Sequence, residues 1–432
     1  LAHGWAEADA RLDDRLRGEG PMNRARALEI METFDLQGLV LADPVNVFHA
    51  LGYWPQIAHT KTGQPPTTFA LIPRDPARPW GFVTTRFIYY YTYVDGGFRQ
   101  PLQVYLYLTA GDTGDDALAG AVGGDFPDLG AAPLSEIERA RRAAVDAASL
   151  ARATRADAGA ALAGAMRDMG LWGGRIAFDH AVIAEVCGRR DHPGELVPGD
   201  NILRWIRLVK SPLEIDLMRR ASAANVEAVA ATGASIRAGA RYGDLRRVFE
   251  VEAARRGNRA VFMTVDRASS ELSDAPIVDG QTLFIDGVSQ HRHYHGDYAR
   301  TVFVGEPGPA AREAARAAAH GWNAVRERLR PGLRYSELAA LGAEAVRKAG
   351  FAVTIGFGPH SVGLMHTDEP GEDLGGFHGK LDLTLRENMI LSVDCPVMDT
   401  GYGGSAHIED LMLITADGAE PIHALGEPVM IL

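Results

Sequence analysis

The feature that most constrains this chain is an internal repeat. Ile236-Arg-Ala-Gly-Ala-Arg-Tyr-Gly-Asp-Leu245 recurs 93 residues later as Leu329-Arg-Pro-Gly-Leu-Arg-Tyr-Ser-Glu-Leu338, with five identities in ten ungapped positions. The same offset carries Gly257 onto Gly350. Each copy reads as the end of a helix, a turn at Gly239 or Gly332, and a second helix with Asp244 or Glu337 in its first turn. A duplicated helix–turn–helix unit implies one domain built from two related halves.

Each copy is followed by strand-like apolar segments that carry acids. Leu283-Phe-Ile-Asp286 leads to Asp297-Tyr-Ala-Arg-Thr-Val-Phe-Val304, and Met389-Ile-Leu-Ser-Val-Asp394 leads to Ile408-Glu409-Asp-Leu-Met-Leu-Ile414. An acid at the end of an apolar strand is costly unless it is paired or bound to a metal. One such acid alone reads as a hairpin-turn residue in solvent. Four in a duplicated arrangement, aimed at one centre, read as a metal cage. His360 lies between them in Gly356-Phe-Gly-Pro-His360-Ser-Val-Gly-Leu-Met-His366, a glycine-rich turn where a side chain can approach a metal without crowding. Four carboxylates balance two divalent cations. One nitrogen among many oxygens favours Mn, Fe or Co, with Zn also accommodated. Two such ions can share a bridging water, lower its pKa and polarise a carbonyl.

Residues 1–205 read as a mixed helix/strand domain. Ala27, Ile30, Met31 and Phe34 share one face of a helix over Met22–Phe34. Strands are expected at 38–42, 68–72, 80–84 and 175–179, a loop at 111–135, and helix over the alanine-rich 136–169. Residues 1–21, polar and glycine-containing, read as a loose arm. Ser211-Pro212-Leu-Glu214 carries a capping residue, a first-turn proline and an acid three residues after the cap. A long helix running to about Ala231 therefore opens a second domain over 206–432. The fold class expected is α/β (α+β) in two domains.

Composition excludes several roles. Asp and Glu number 56 against 44 Lys and Arg, for a net charge of −12. That balance argues against a nucleic-acid partner and against an anionic membrane surface. The two cysteines, Cys187 and Cys395, cannot build a disulfide framework or a cysteine-based zinc cluster; both read as inert core thiols. No apolar run reaches 18 residues. Leu1-Ala-His-Gly-Trp-Ala-Glu7 has no basic segment followed by an apolar stretch. A cytoplasmic setting is the expectation.

These residues resemble the creatinase/aminopeptidase P/prolidase family, the M24 metallopeptidases, across nearly the whole chain. The bearers are the eleven-residue step from Asp286 to Asp297, Arg300-Thr301 after it, the His360 turn, Ile408-Glu409-Asp410, and, near the N-terminus, Gly38-Leu-Val-Leu followed by Asn46-Val-Phe-His-Ala-Leu-Gly-Tyr53. The resemblance implies a creatinase-like N-terminal domain and a C-terminal pita-bread domain with a pseudo-two-fold repeat. It implies two divalent metals held by Asp286, Asp297, His360, Asp394 and Glu409, with Asp297 and Glu409 bridging. Asp394 stands where the family usually has Glu, and in the peptidases that carboxylate is also the candidate general base. A homodimer is implied too, with Trp54 and His59 as analogy-based candidates for reaching a partner's site.

The departures bear on function. No histidine occurs between Gly257 and Asp286, where the peptidases carry a proton-shuttling one near the position of Ser269 and Ser270. The second histidine, His366, follows His360 by six residues, whereas the peptidases use seven. His407 stands two before Glu409, where Arg is frequent. The expected function is a dinuclear-metal hydrolase of a C–N bond, Xaa-Pro peptidase-like, acting by metal-bound hydroxide on a short peptide or small molecule. His366 would contact substrate or move a proton. The six-residue step also resembles the dimethylsulfoniopropionate lyases of this superfamily, so a metal-dependent lyase acting on a small charged carboxylate is the alternative. A non-catalytic pita-bread binding protein is a third. His291-Arg-His293-Tyr-His295 reads as a solvated hairpin tip, with a metal or anion site as the other reading.

Overall fold

A computed structural model describes residues 4–55, 66–108, 133–353, 356–373, 379–394, 397–399 and 404–431. The chain divides into two compact units, one of Asp13–Ile206 with Gly371–Gly379, the other of Leu1–Leu12, Arg207–Pro370 and Lys380–Leu432.

The first helix corrects the reading of residues 1–21 as a loose arm: α1 spans Ala6–Glu19. Its surface is charged and tied by Glu7–Arg11 and Arg15–Glu19 pairs one turn apart, while Leu12 and Leu16 are buried. Two leucines four residues apart make a narrow apolar stripe that the overall polarity of the segment conceals.

In the unit of residues 13–206, α2 (Arg24–Thr33) precedes β1 (Gly38–Leu41) and α3 (Pro44–Leu51). Asp43 both ends β1 and caps α3, accepting the Val45 N–H at 2.9 Å, with Pro44 in the first turn. Then follow β2 (Thr68–Pro73), β3 (Gly81–Thr85), a short turn of helix α4 (Arg86–Ile88) running into a π-turn, and β4 (Gln103–Tyr107). The alanine-rich stretch makes two helices, α5 (Glu136–Ala151) and α6 (Ala158–Asp168). They are separated because Arg155 pairs in extended form with Leu106 and Leu108. The strand β5 (Ile176–Phe178), α7 (Ala181–Arg189), β6 (Leu196–Pro198) and α8 (Asp200–Arg207) complete this half. The sheet order is β4-β3-β2-β1-β5-β6. The loop expected at 111–135 falls largely outside the described residues.

The other unit is organised by the repeat. The helix α9 (Pro212–Gly233) starts where the sequence places it: Ser211 Oγ accepts the Glu214 N–H at 3.1 Å, and Glu214 Oε2 accepts the Ser211 N–H at 2.8 Å. The helices α10 (Tyr242–Arg255) and α12 (Tyr335–Lys348) begin 93 residues apart, and α11 (Pro309–Arg326) precedes the second. Gly239 and Gly332 take the left-handed backbone, φ 84° and 92°, which glycine adopts without steric cost. Asp244 and Glu337 each accept the backbone N–H three residues before them, at 3.2 and 2.8 Å. The acid-for-acid exchange in the repeat therefore preserves one capping bond.

The strands of this unit are β7 (Arg259–Val265), β8 (Thr282–His291), β9 (Tyr294–Phe303), β10 (His360–Ser361), β11 (Ile390–Asp394), a ribbon of β12 (Met398–Asp399) and β13 (Ser405–Ala406), β14 (Glu409–Ile414), β15 (Ala419–Pro421) and β16 (Val429–Ile431). Their main order is β10-β11-β14-β9-β8-β7, with β15 on β14 and β16 on β9. Among the described residues, α9 and α11 pack on the same face of this sheet. A Cβ at Gly296 would lie 2.8 Å from Ser222 Cα and 2.9 Å from Ala221 O, so α9 meets β9 at backbone distance. On that same face Trp322 of α11 donates from Nε1 to Asp410 at 2.9 Å. Since strand side chains alternate, the residues at 297, 299 and 409 are turned to the opposite face. Among the described residues no helix is long and apolar enough to cross a membrane.

Buried polar groups in this unit make stability depend on pH. His423 Nε2 accepts the Leu411 N–H at 3.1 Å and its Nδ1 lies 3.0 Å from Ala424 O, which defines a neutral ring protonated on Nδ1. Burial pushes this imidazole down from 6.5 to about 4. A histidine with a lowered folded pKa contributes stability that is complete above pH ~6.5 and is lost as pH falls through that range. Between pH 6.5 and 4.5 the chelator-treated protein should lose roughly 2–3 kcal/mol from this group alone. Urea unfolding across that range should show His423→Gln with a shallower pH slope than wild type; an identical slope would remove His423 from the account.

Candidate metal centre

Strand register places the acids. In the antiparallel ladder Asp286 pairs with Ala299 and Val288 with Asp297, and Glu409 pairs with Ala299 from the other side. Directly opposed residues share a face, and so do residues two apart on a strand. Asp286, Asp297 and Glu409 therefore meet on one face, around the small, fully buried Ala299. A larger residue at 299 would fill the space the carboxylates share. Asp394 stands opposite Glu409 in the register of β11 and β14; its side chain lies outside the described residues, as does Cys395. His360 pairs with Ser392, two residues before Asp394.

Two overlapping donor groups result. Asp286, Asp297 and Glu409 offer ligand atoms within 4.8 Å of one another, and so do Asp297, His360 and His366. Asp297 belongs to both. The strands thus bring together four of the five expected ligands by side chain, and they add His366, whose Nε2 is 3.1 Å from Asp297 Oδ2.

The electrostatics are those of a concentrated anionic pocket. Glu409 is almost fully buried. Burial alone would raise its pKa, but the His360 and His407 imidazoles outweigh it and hold the carboxyl well below the usual range. Their Nε2 atoms stand 3.8 and 3.6 Å from its two oxygens. The Ser392 hydroxyl donates to Glu409 as well. Burial pulls His360 down, yet Glu409 and Asp297 leave it above the ordinary value. His360 Nδ1 is buried and has no hydrogen-bond partner among the described residues. Three converging carboxylate groups beside such a nitrogen match the donor set of a divalent transition cation, so the residues present fit the metal that the resemblance implies.

Two participants escape a sequence reading. His407 appears there only as a departure from a frequent Arg, and the structure makes it the second imidazole on Glu409, with its ring edge-on to Phe284. Ser392 is a small polar residue in an apolar strand, and its spacing of two from Asp394 is the signal that could have found it. The histidine hairpin is a correction. Arg292 and His293 take left-handed φ of 46° and 70° in the turn, and the register pairs His291 with Tyr294 and Gln290 with His295. His291 and His295 therefore lie on opposite faces and are buried, not solvated. Their Nδ1 atoms approach the Gly257 and Gly363 carbonyls at 3.2 and 3.1 Å. His59 lies outside the described residues; Trp54 packs on Phe48 at a ring distance of 5.9 Å.

Comparison with known proteins agrees with this architecture. Residues 216–416 match the model of metallopeptidase family M24. The Mycobacterium tuberculosis protein named "Probable dipeptidase PepE" is 27% identical over 232 residues, 52% of this chain and 60% of that protein. The Xaa-Pro dipeptidase of Pyrococcus furiosus is 26% identical over 234 residues, 51% of this chain and 64% of that protein. The matches thus span about three-fifths of these curated relatives' own length. Among solved structures, the Xaa-Pro dipeptidase from Bacillus anthracis superposes with a TM-score of 0.66 at 18% identity, covering 95% of this chain and all of that one (100%). The prolidase from Pyrococcus horikoshii gives 0.62 at 16% identity, covering 92% and 97%. The overall fold is the two-domain fold of these prolidases, with its C-terminal pita-bread half, and residues 216–416 are a domain of metallopeptidase family M24.

Proposed function

We propose that this chain is a metal-dependent hydrolase that cleaves the C–N bond of a short peptide, in the manner of an Xaa-Pro dipeptidase. The observation that carries the reading is the convergence of Asp286, Asp297 and Glu409 on one sheet face with His360 beside them. In this reading Asp286, Asp297, His360, Asp394 and Glu409 hold two divalent ions, of which Mn, Fe or Co suit an oxygen-rich set with imidazole. Such a pair, when bound, supplies an activated water near neutral pH and polarises the scissile carbonyl. The protein's own groups do the rest. Ser392 and His407 fix the orientation of Glu409. In this reading Asp394, whose backbone pairs with Glu409, is the carboxylate that takes a proton. The named activity of the relatives at 26–27% identity supports a dipeptide-sized substrate.

Elemental analysis of protein purified without chelator should give about two metals per chain on the two-metal template. The same preparation, loaded with Mn, Co or Fe, should hydrolyse Ala-Pro or Gly-Pro. Silence on both dipeptides, with dimethyl sulfide released from dimethylsulfoniopropionate, would replace the hydrolase by the lyase. Absence of metal even after reconstitution would remove both.

A further inference from the structure

By sequence His366 belongs on the substrate side, because it follows the ligand histidine at nearly the spacing the peptidases use. The geometry points elsewhere: we propose that His366 is itself a metal ligand, sharing with Asp297 and His360 the ion that those two residues bind. The proposal rests on the metal-centre reading above and adds a sixth ligand to it.

Three observations carry it. First, the Nε2 atom of His366 stands 3.1 Å from Asp297 Oδ2. Two adjacent ligands of one octahedral ion, each at about 2.1 Å, are separated by about 3.0 Å. The pair therefore already has the spacing of neighbouring donors. Second, Nδ1 faces the Thr367 hydroxyl at 3.4 Å. In the tautomer that donates from Nδ1, the lone pair of Nε2 faces the carboxylate, which is the arrangement a shared ion needs. An outer hydrogen bond that fixes the tautomer is the usual companion of a metal-bound imidazole. Third, the ring is aimed from two sides. Phe262 of β7 packs against it in a T-shaped contact at 5.2 Å, and the His360 ring lies 5.0 Å away at 49°, so the two imidazoles converge on Asp297.

The segment carrying His366 is pinned. The Asp368 N–H bonds Ser361 O at 2.9 Å and the His295 N–H bonds Gly363 O at 3.0 Å. Arg207 Nε reaches both Asp368 oxygens at 2.9 and 3.0 Å, with both residues buried. A ligand held on a segment stapled at 361, 363 and 368 is pre-organised in the sense metal sites require. The six-residue step gains a structural meaning: it brings the imidazole onto the metal and leaves Thr367 at the seventh position. A site with two imidazoles is also softer than one with a single imidazole. It should shift preference from Mn toward Fe, Co or Zn.

The test is Co²⁺ titration of chelator-treated wild type, His366→Ala and His366→Asp, followed by calorimetry and by the visible ligand-field spectrum. His366→Ala should lose at least the ~10–100-fold in affinity that removal of a mere outer-sphere partner costs, with an altered cobalt spectrum that added imidazole partly restores. His366→Asp should move relative affinity from Co²⁺ toward Mn²⁺. Matching thermal unfolding of the metal-free variants excludes misfolding as the cause. His366→Ala with wild-type stoichiometry, affinity and spectrum would overturn the ligand assignment while leaving the metal centre standing. Wild type that takes up no cobalt would overturn both, and the two failures are told apart by that one curve.

Discussion

Replacing Asp297 with asparagine is expected to stabilise the metal-free protein and to abolish its stabilisation by added divalent cation. Asp297 is buried between Asp286 and Glu409, with ligand atoms within 4.8 Å. Two like charges at that distance repel by roughly 3 kcal/mol at an effective dielectric of about 20. Asparagine relieves this repulsion at nearly constant volume. A gain of about 1 kcal/mol in unfolding free energy is the net expectation, since the amide also gives up hydrogen-bond acceptor strength. Wild type should be stabilised by about 4 kcal/mol when free cation reaches a thousand times its Kd, and the variant should show none of it. Thermal unfolding with EDTA and with Mn²⁺ measures both effects. A variant that keeps the wild-type cation shift would remove Asp297 from the ligand set. The opposite signs matter, because a residue that merely packs the core would lose stability under both conditions.

The second large effect concerns the helix-covered face of the same sheet. Arg300 is 1% exposed and Asp410 0% exposed. Arg300 Nη2 donates to Asp410 Oδ1 at 2.7 Å, and Nη1 donates to the Ala299 and Glu409 carbonyls at 2.7 and 2.9 Å. Nε donates to Glu427 O at 2.9 Å. Burial pushes the Asp410 carboxyl up to about 6 in spite of the guanidinium and the Trp322 indole. Arg300→Ala leaves that acid and several carbonyls without their donor. The expected cost is about 3–5 kcal/mol, the usual price of breaking a buried pair on one side. Asp410→Asn, which keeps the shape and the Trp322 acceptor, should cost distinctly less. Because Nη1 also holds the Glu409 carbonyl, Arg300→Ala should weaken cation binding without removing a ligand. Chemical denaturation with parallel calorimetry checks this. A loss under 1 kcal/mol would show the pair to be replaceable by solvent.

Much of this was legible in the residues. The capping box at Ser211 and the glycine turns at 239 and 332 are local events, decided within a few residues. The repeat exposed the symmetry of the C-terminal unit before any coordinate. The acids were legible because apolar strands make a carboxylate conspicuous, and because duplication made four of them a pattern. The failures have physical reasons too. The helix at Ala6–Glu19 has too thin an apolar stripe to stand out from its charges. The two halves of 136–169 are separated by pairing of Arg155 with Leu106 and Leu108, nearly fifty residues away. The histidine hairpin reads as solvated from sequence because its contacts come from the Gly257 and Gly363 carbonyls, not from its neighbours in sequence.

The residue types and spacings alone pointed to the fold class, the duplicated half, and the candidate acids and histidine, because each depends on periodicity, capping or the cost of a charge in an apolar strand. Tertiary structure alone decided which atoms meet. His407 reaches Glu409, and His366 reaches Asp297. The path of the segment after His360 is set by contacts with His295 and Arg207, 68 and 161 residues away. No count of residues along the chain reveals where a side chain lands when staples from so far away fix its backbone.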